Sequence, residues 1–118
     1  LLKKQNKKEK ITIEKFLSFK PVRENFEWYK TDEKLVRIVV PKFKGTLGKK
    51  FCKIMGKQDT FTANLDKIGS MVWENCDGSH TVKDILDILE KEFPKEENLL
   101  NRLIIFLQQM KRLKYISY

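Results

Sequence analysis

Apolar positions change period along the chain, and the changes separate a strand-forming half from a helical half. Ile11, Ile13, Phe16, Leu17 and Phe19 predict a short amphipathic helix over 11–19, capped by Thr12 and ended before Pro21. An extended region opens at Pro21-Val22-Arg23. Glu27–Thr31 and Lys34–Val40 then read as two strands around a tight turn at Asp32-Glu33, the second rich in β-branched residues and stopped by Pro41. Residues 41–58 form a long connector, in which Leu47, Phe51, Ile54 and Met55 recur at helical spacing. A third strand follows at Thr60-Phe61-Thr62-Ala63-Asn64, alternating polar and apolar.

From Leu65 the period is helical. Asn64 or Asp66 caps a helix carrying Ile68, Met71, Val72 and Trp73, and Asp77-Gly78 ends it. The Trp73 indole N–H is expected to find an internal acceptor. Thr81 caps a helix over 82–93, with Asp84 supplying the acidic half of a capping-box-like start. Val82, Ile85, Leu86, Leu89 and Phe93 form its stripe, and Pro94 stops it. A last helix is expected from about Lys95 or Glu96 to about Leu113, burying Leu99, Leu100, Leu103, Phe106, Leu107 and Met110, before an extended tail at 115–118. The order predicts an α+β module: a small three-stranded antiparallel sheet beside a three-helix, winged-helix-like core.

At 118 residues, 41% apolar and 35% charged, the composition suits one ordinary globular domain. No stretch nears the ~18 apolar residues of a membrane span, so no transmembrane segment is expected. Leu1-Leu2 followed by lysines lacks the apolar region of a secretory signal, and a start without Met reads as a fragment. Cys52 and Cys76 have no metal-spaced partners and read as free thiols of a cytoplasmic protein.

The net charge of +9 is unevenly placed. Residues 1–20 hold seven lysines against Glu9 and Glu14, and residues 42–57 hold six lysines and no acid. The remainder carries a net −2. Residues 1–20 thus read as a basic N-terminal extension, its first ten residues disordered, before a domain over 21–118. Basicity sits outside the helical core, which argues against nucleic acid: helix 82–93 sets Asp84, Asp87, Glu90 and Glu92 against Lys83 and Lys91.

Enzyme chemistry is not visible. His80, the single histidine, stands in a turn without a base–nucleophile arrangement, and Gly45-Thr46-Leu47-Gly48-Lys49-Lys50 lacks the spacing of a phosphate loop. No catalytic residue, metal ligand or cofactor is expected.

Leu65-Asp66-Lys67-Ile68-Gly69-Ser70-Met71-Val72-Trp73-Glu74-Asn75-Cys76-Asp77-Gly78, then Thr81-Val82-Lys83-Asp84-Ile85, resembles the PqqD family. The resemblance runs from about Pro21 to Ile116. Members are peptide chaperones of pyrroloquinoline quinone biosynthesis, and similar domains are recognition elements for ribosomally made, modified peptides. The resemblance implies that the leader of a precursor peptide adds a strand to the sheet and is presented to a modifying enzyme, in many systems a radical S-adenosylmethionine maturase. It would place Thr60, Phe61, Thr62, Ala63 and Asn64 on one side of the peptide. Leu99, Arg102, Leu103, Phe106 and Gln109 would lie on the other, Arg102 pairing with an acidic leader residue. Two other readings stand beside it: a nucleic-acid-binding winged helix, and a structural adaptor forming a homodimer through its open sheet edge.

Overall fold

The computed structural model describes residues 11–42 and 60–118. The tail 1–10, Cys52 and the stripe Leu47, Phe51, Ile54 and Met55 lie outside the described residues. In chain order the elements are α1 (Ile13–Leu17), β1 (Val22–Arg23), β2 (Glu27–Lys30), β3 (Val36–Pro41), β4 (Thr60–Asn64), α2 (Lys67–Asn75), α3 (Val82–Glu92), α4 (Leu99–Arg112) and β5 (Ile116–Ser117). This is an α+β arrangement with small antiparallel sheets and, among the described residues, four helices.

The larger sheet has the order β2-β3-β4, every pair antiparallel. Its central strand shows why β-branched residues were needed there: Val36, Ile38 and Val40 are buried while Arg37 and Val39 are half-buried, the two-residue alternation of a pleated strand. The β2–β3 turn is longer than Asp32-Glu33 alone. Thr31 Oγ1 accepts from Leu35 N at 3.2 Å, and Thr31 O accepts from Lys34 N at 2.8 Å. Lys34 has φ +66°, a left-handed conformation that delays the strand to Val36.

A second, two-stranded sheet joins the extended region after Pro21 to the C-terminal tail, pairing Val22 with Ser117 and Arg23 with Ile116. The sequence marked both segments as extended but held no sign of their pairing. Arg23 is the lock. Its Nη1 donates to Glu74 O and to Trp73 O, both at 2.9 Å, the latter also accepting from Cys76 N at 3.1 Å, so it closes the end of α2, and its guanidinium lies 5.2 Å from the Trp28 ring centre.

The helices are set by their caps. Asp66, not Asn64, caps α2, its carboxylate accepting from Gly69 N at 2.7 Å. At α3, Thr81 Oγ1 accepts from Asp84 N at 3.0 Å while the Asp84 carboxylate accepts from Thr81 N at 2.9 Å. The shorter acid therefore completes a full capping box. The last helix starts at Leu99, later than the sequence suggests. Glu96 N donates to Phe93 O, and Asn98 adopts φ +60°, so 94–98 is a turn. Glu96 pairs with Arg102 at 2.7 Å instead of lying within the first helical turn.

Trp73, Ile38, Ile85, Leu89, Leu103 and Leu107 are among the largest fully buried side chains, so the core lies where β3, α2, α3 and α4 meet. Phe16 brings α1 onto it as an additional helix, stacking edge-on with Phe19 and Tyr118.

Candidate functional site

Strand β4 is an edge, pairing only with β3 among the described residues. Its end in the ladder is fixed by Ser70, whose buried hydroxyl accepts from Val36 N at 2.8 Å and donates to Leu65 O at 3.4 Å, beside a direct bond from Leu65 N to Val36 O at 3.0 Å. Positions 36 and 65 thus form a hydrogen-bonded pair. By the alternation of an antiparallel ladder, Ile38/Ala63 and Val40/Phe61 do the same. The backbone groups of Thr60, Thr62 and Asn64 consequently point away from β3, and no described residue bonds to them.

The side chains of Phe61 and Ala63 share a face with buried Val40 and Ile38. Phe61 is nevertheless 46% exposed. Next to this face runs a groove of about 430 Å³ lined by Ala63, Leu65, Phe106, Gln109, Met110, Arg112, Leu113 and Tyr115. Phe106, Gln109, Met110 and Leu113 follow helical spacing, so one stripe of α4 and the residue after it form the wall opposite β4. Gly69 sets how closely the helices approach beneath it: a Cβ there would stand 3.0 Å from Phe106 Cε1 and 3.1 Å from Asp66 Oδ1.

The residues expected to share a site are divided by this geometry. Ala63, Phe106 and Gln109 meet in the groove, and Thr60, Phe61, Thr62 and Asn64 continue its strand. Leu99 and Leu103 are buried in the core. Arg102 lines a separate depression with Asp66, Lys67, Ile68, Phe93 and Glu96, and Glu96 already supplies its acid. The sequence reading missed Leu65, Met110, Arg112, Leu113 and Tyr115 as lining residues. The signal was present for two of them, Met110 and Leu113: 106, 109, 110 and 113 make one stripe, and Leu113 remains 56% exposed at its end.

Elsewhere the chemistry is quiet. Cys76 is buried, and burial pushes its thiol up to about 12 despite the lowering effect of Arg23, so it carries no thiolate at neutral pH. Asp77 Oδ1 lies 2.9 Å from Ser79 N, 2.8 Å from Ser79 Oγ and 3.0 Å from His80 Nδ1. These neighbours arrange an exposed turn after α2, and His80 is part of that turn. Among the described residues no group of three or more His, Cys, Asp or Glu is placed to hold a metal ion. No helix among them is long and apolar enough to cross a membrane.

A family model described as Coenzyme PQQ synthesis protein D (PqqD) matches residues 56–116, just over half of the chain. The chain belongs to the PqqD family. No curated protein and no solved structure matches it. PqqD membership carries a peptide-chaperone role without catalysis of its own. The matched region is shorter than the 21–116 span of the resemblance, but it contains β4, α2, α3 and α4 and reaches the start of β5, and hence holds both walls of the groove.

Proposed function

We propose that this PqqD domain binds the leader of a ribosomally made precursor peptide along β4 and presents it to a peptide-modifying enzyme, a radical S-adenosylmethionine maturase. The observation that carries the proposal is an edge strand with outward backbone groups standing beside an apolar groove against α4. Backbone pairing gives affinity that tolerates sequence, while the groove selects side chains on one face of the added strand. Thr60, Phe61, Thr62, Ala63 and Asn64 form the receiving strand. Phe106 and Gln109 line the opposite wall, and Leu99 and Leu103 support it from the core. Arg102, held by Glu96, stands outside the contact. The peptide-binding unit is the winged-helix-like domain over 21–118, preceded by a basic extension, and it works in the cytoplasm.

The test is a pull-down of the tagged protein from its native cells, with bound species identified by mass spectrometry. Phe61→Asp and Leu113→Asp variants, both at exposed positions, serve as controls. Recovery of a short genetically encoded peptide with a maturase, lost in both variants, is the expected result. Recovery of nucleic acid, or of the protein's own second copy alone, would replace the reading with a nucleic-acid-binding protein or an edge-to-edge dimer.

A further inference from the structure

We infer that the groove selects a peptide carrying an acidic side chain two positions from an apolar one, the acid paired with Arg112. This rests on the groove being the peptide site. Ala63, Leu65, Phe106, Met110, Leu113 and Tyr115 give it a mainly apolar lining; Arg112 is its one charged lining residue and has no acidic partner among the described residues. The other arginine of the C-terminal half, Arg102, does not compete, since it is engaged by Glu96.

Charge around the groove points the same way. Positions 60–65 hold no charge, and residues 98–118 hold Arg102, Lys111, Arg112 and Lys114 without a single acid. Lys111 is drawn to the Tyr118 ring, 4.3 Å from its centre, which leaves the Arg112 fork as the group presented to the groove. An arginine in that position takes a carboxylate through two parallel hydrogen bonds, a geometry a lysine cannot reproduce. Residues 42–57 carry six lysines and no acid, so their sequence supplies no carboxylate for Arg112. A second copy of a +9 chain is opposed by charge repulsion.

Spacing follows from element geometry. From Phe106 to Arg112 the helix rises about 9 Å, at 1.5 Å per residue. In a strand, same-face side chains recur about every 7 Å. For a peptide strand running along α4, two successive groove-facing side chains would come close to spanning that distance, one over Phe106 and Ala63 and the next reaching toward Arg112.

The test is selection from a displayed library of random 12-residue peptides on the full chain. The selected peptides are then resynthesised and titrated by fluorescence anisotropy against wild type, Arg112→Gln, Arg112→Glu and Phe61→Asp. Arg112 is exposed and folding should tolerate its replacement, which circular dichroism checks. The expected outcome is enrichment of Asp or Glu two positions from an aliphatic or aromatic residue. Arg112→Gln should then weaken binding about tenfold, the scale of one charge-assisted contact. Arg112→Glu should weaken it further, and a peptide with Lys in place of the acid should recover affinity for that variant. Peptides that lose binding to Phe61→Asp but show no acidic preference and ignore Arg112 would overturn this inference while leaving the groove reading intact. Peptides indifferent to Phe61→Asp, or no selected peptide at all, would sink the groove reading and the inference together.

Discussion

Trp73 is fully buried, packs edge-on against Trp28 at 6.3 Å between ring centres, and leaves its indole N–H without a hydrogen-bond partner among the described residues. The sequence indicates that this residue belongs in the core, since it lies on the apolar stripe of α2. It does not indicate where the N–H goes, because an acceptor must be supplied by whichever distant segment folds over the ring. An unpaired buried donor costs about 1–3 kcal/mol, and the area withdrawn from water by so large a side chain outweighs that cost. Asp77 shows the opposite case, a polar group amply satisfied at the surface. Hydrogen bonds from His80 and then Ser79 hold its carboxyl well below the usual carboxylate range. A group whose folded pKa is depressed stabilises the protein above its unfolded pKa, and that contribution drains as pH falls toward the folded value. Melting temperature should accordingly fall as the pH drops below about 4, and Asp77→Asn should flatten the part of that acid limb due to this turn. Thermal melts of both proteins from pH 6 to pH 2 check it; parallel curves would mean that the turn contributes nothing.

At the scale of elements, local chemistry was legible where both partners lie within a few residues. Thr12 and Thr81 start helices as expected, and the stripes of α2, α3 and α4 occur where the period placed them. The misplaced start of α4 has a physical cause. Acidic residues at 96 and 97 suit a helix N-terminus, but the left-handed backbone at Asn98 breaks the path, a choice invisible in a propensity. The β1–β5 pair was illegible for a different reason: two-residue strands about ninety positions apart carry no periodicity. The capping box of α3 gives the sharper test. Thr81→Ala should destabilise the protein by about 1 kcal/mol. Asp84→Ala should cost a similar amount, and the double variant less than their sum, because each half of the box loses its value once the other is gone. Urea unfolding of the four proteins measures this, and strict additivity would show the two hydrogen bonds to be independent.

For the molecule as a whole, the candidate site was half legible. The strand 60–64 could be found because its uncharged alternation is local, whereas choosing which face of α4 meets it required the tertiary contact. Leu99, Arg102 and Leu103 lie on the same helix as Phe106 and Gln109, yet core packing and Glu96 take them elsewhere. The family match begins at residue 56, but the fold does not. Strand β4 has β3 as its described partner, and Val36, Ile38 and Val40 of β3 fill the core beneath α2. Residues 22–23 hold the C-terminal strand, and Arg23 closes the end of α2. A fragment over 56–118 would therefore keep the groove-lining residues and lose what holds them apart at the right distance. It should lack a cooperative thermal transition, with at most residual helix by circular dichroism. Adding a separate peptide over residues 11–42 should restore dispersed amide signals in its NMR spectrum, as the β2–β3 hairpin it carries docks β3 onto β4. A fragment over 56–118 that folds cooperatively alone would show that the matched region is a domain in its own right and that the first three strands are an accessory to it.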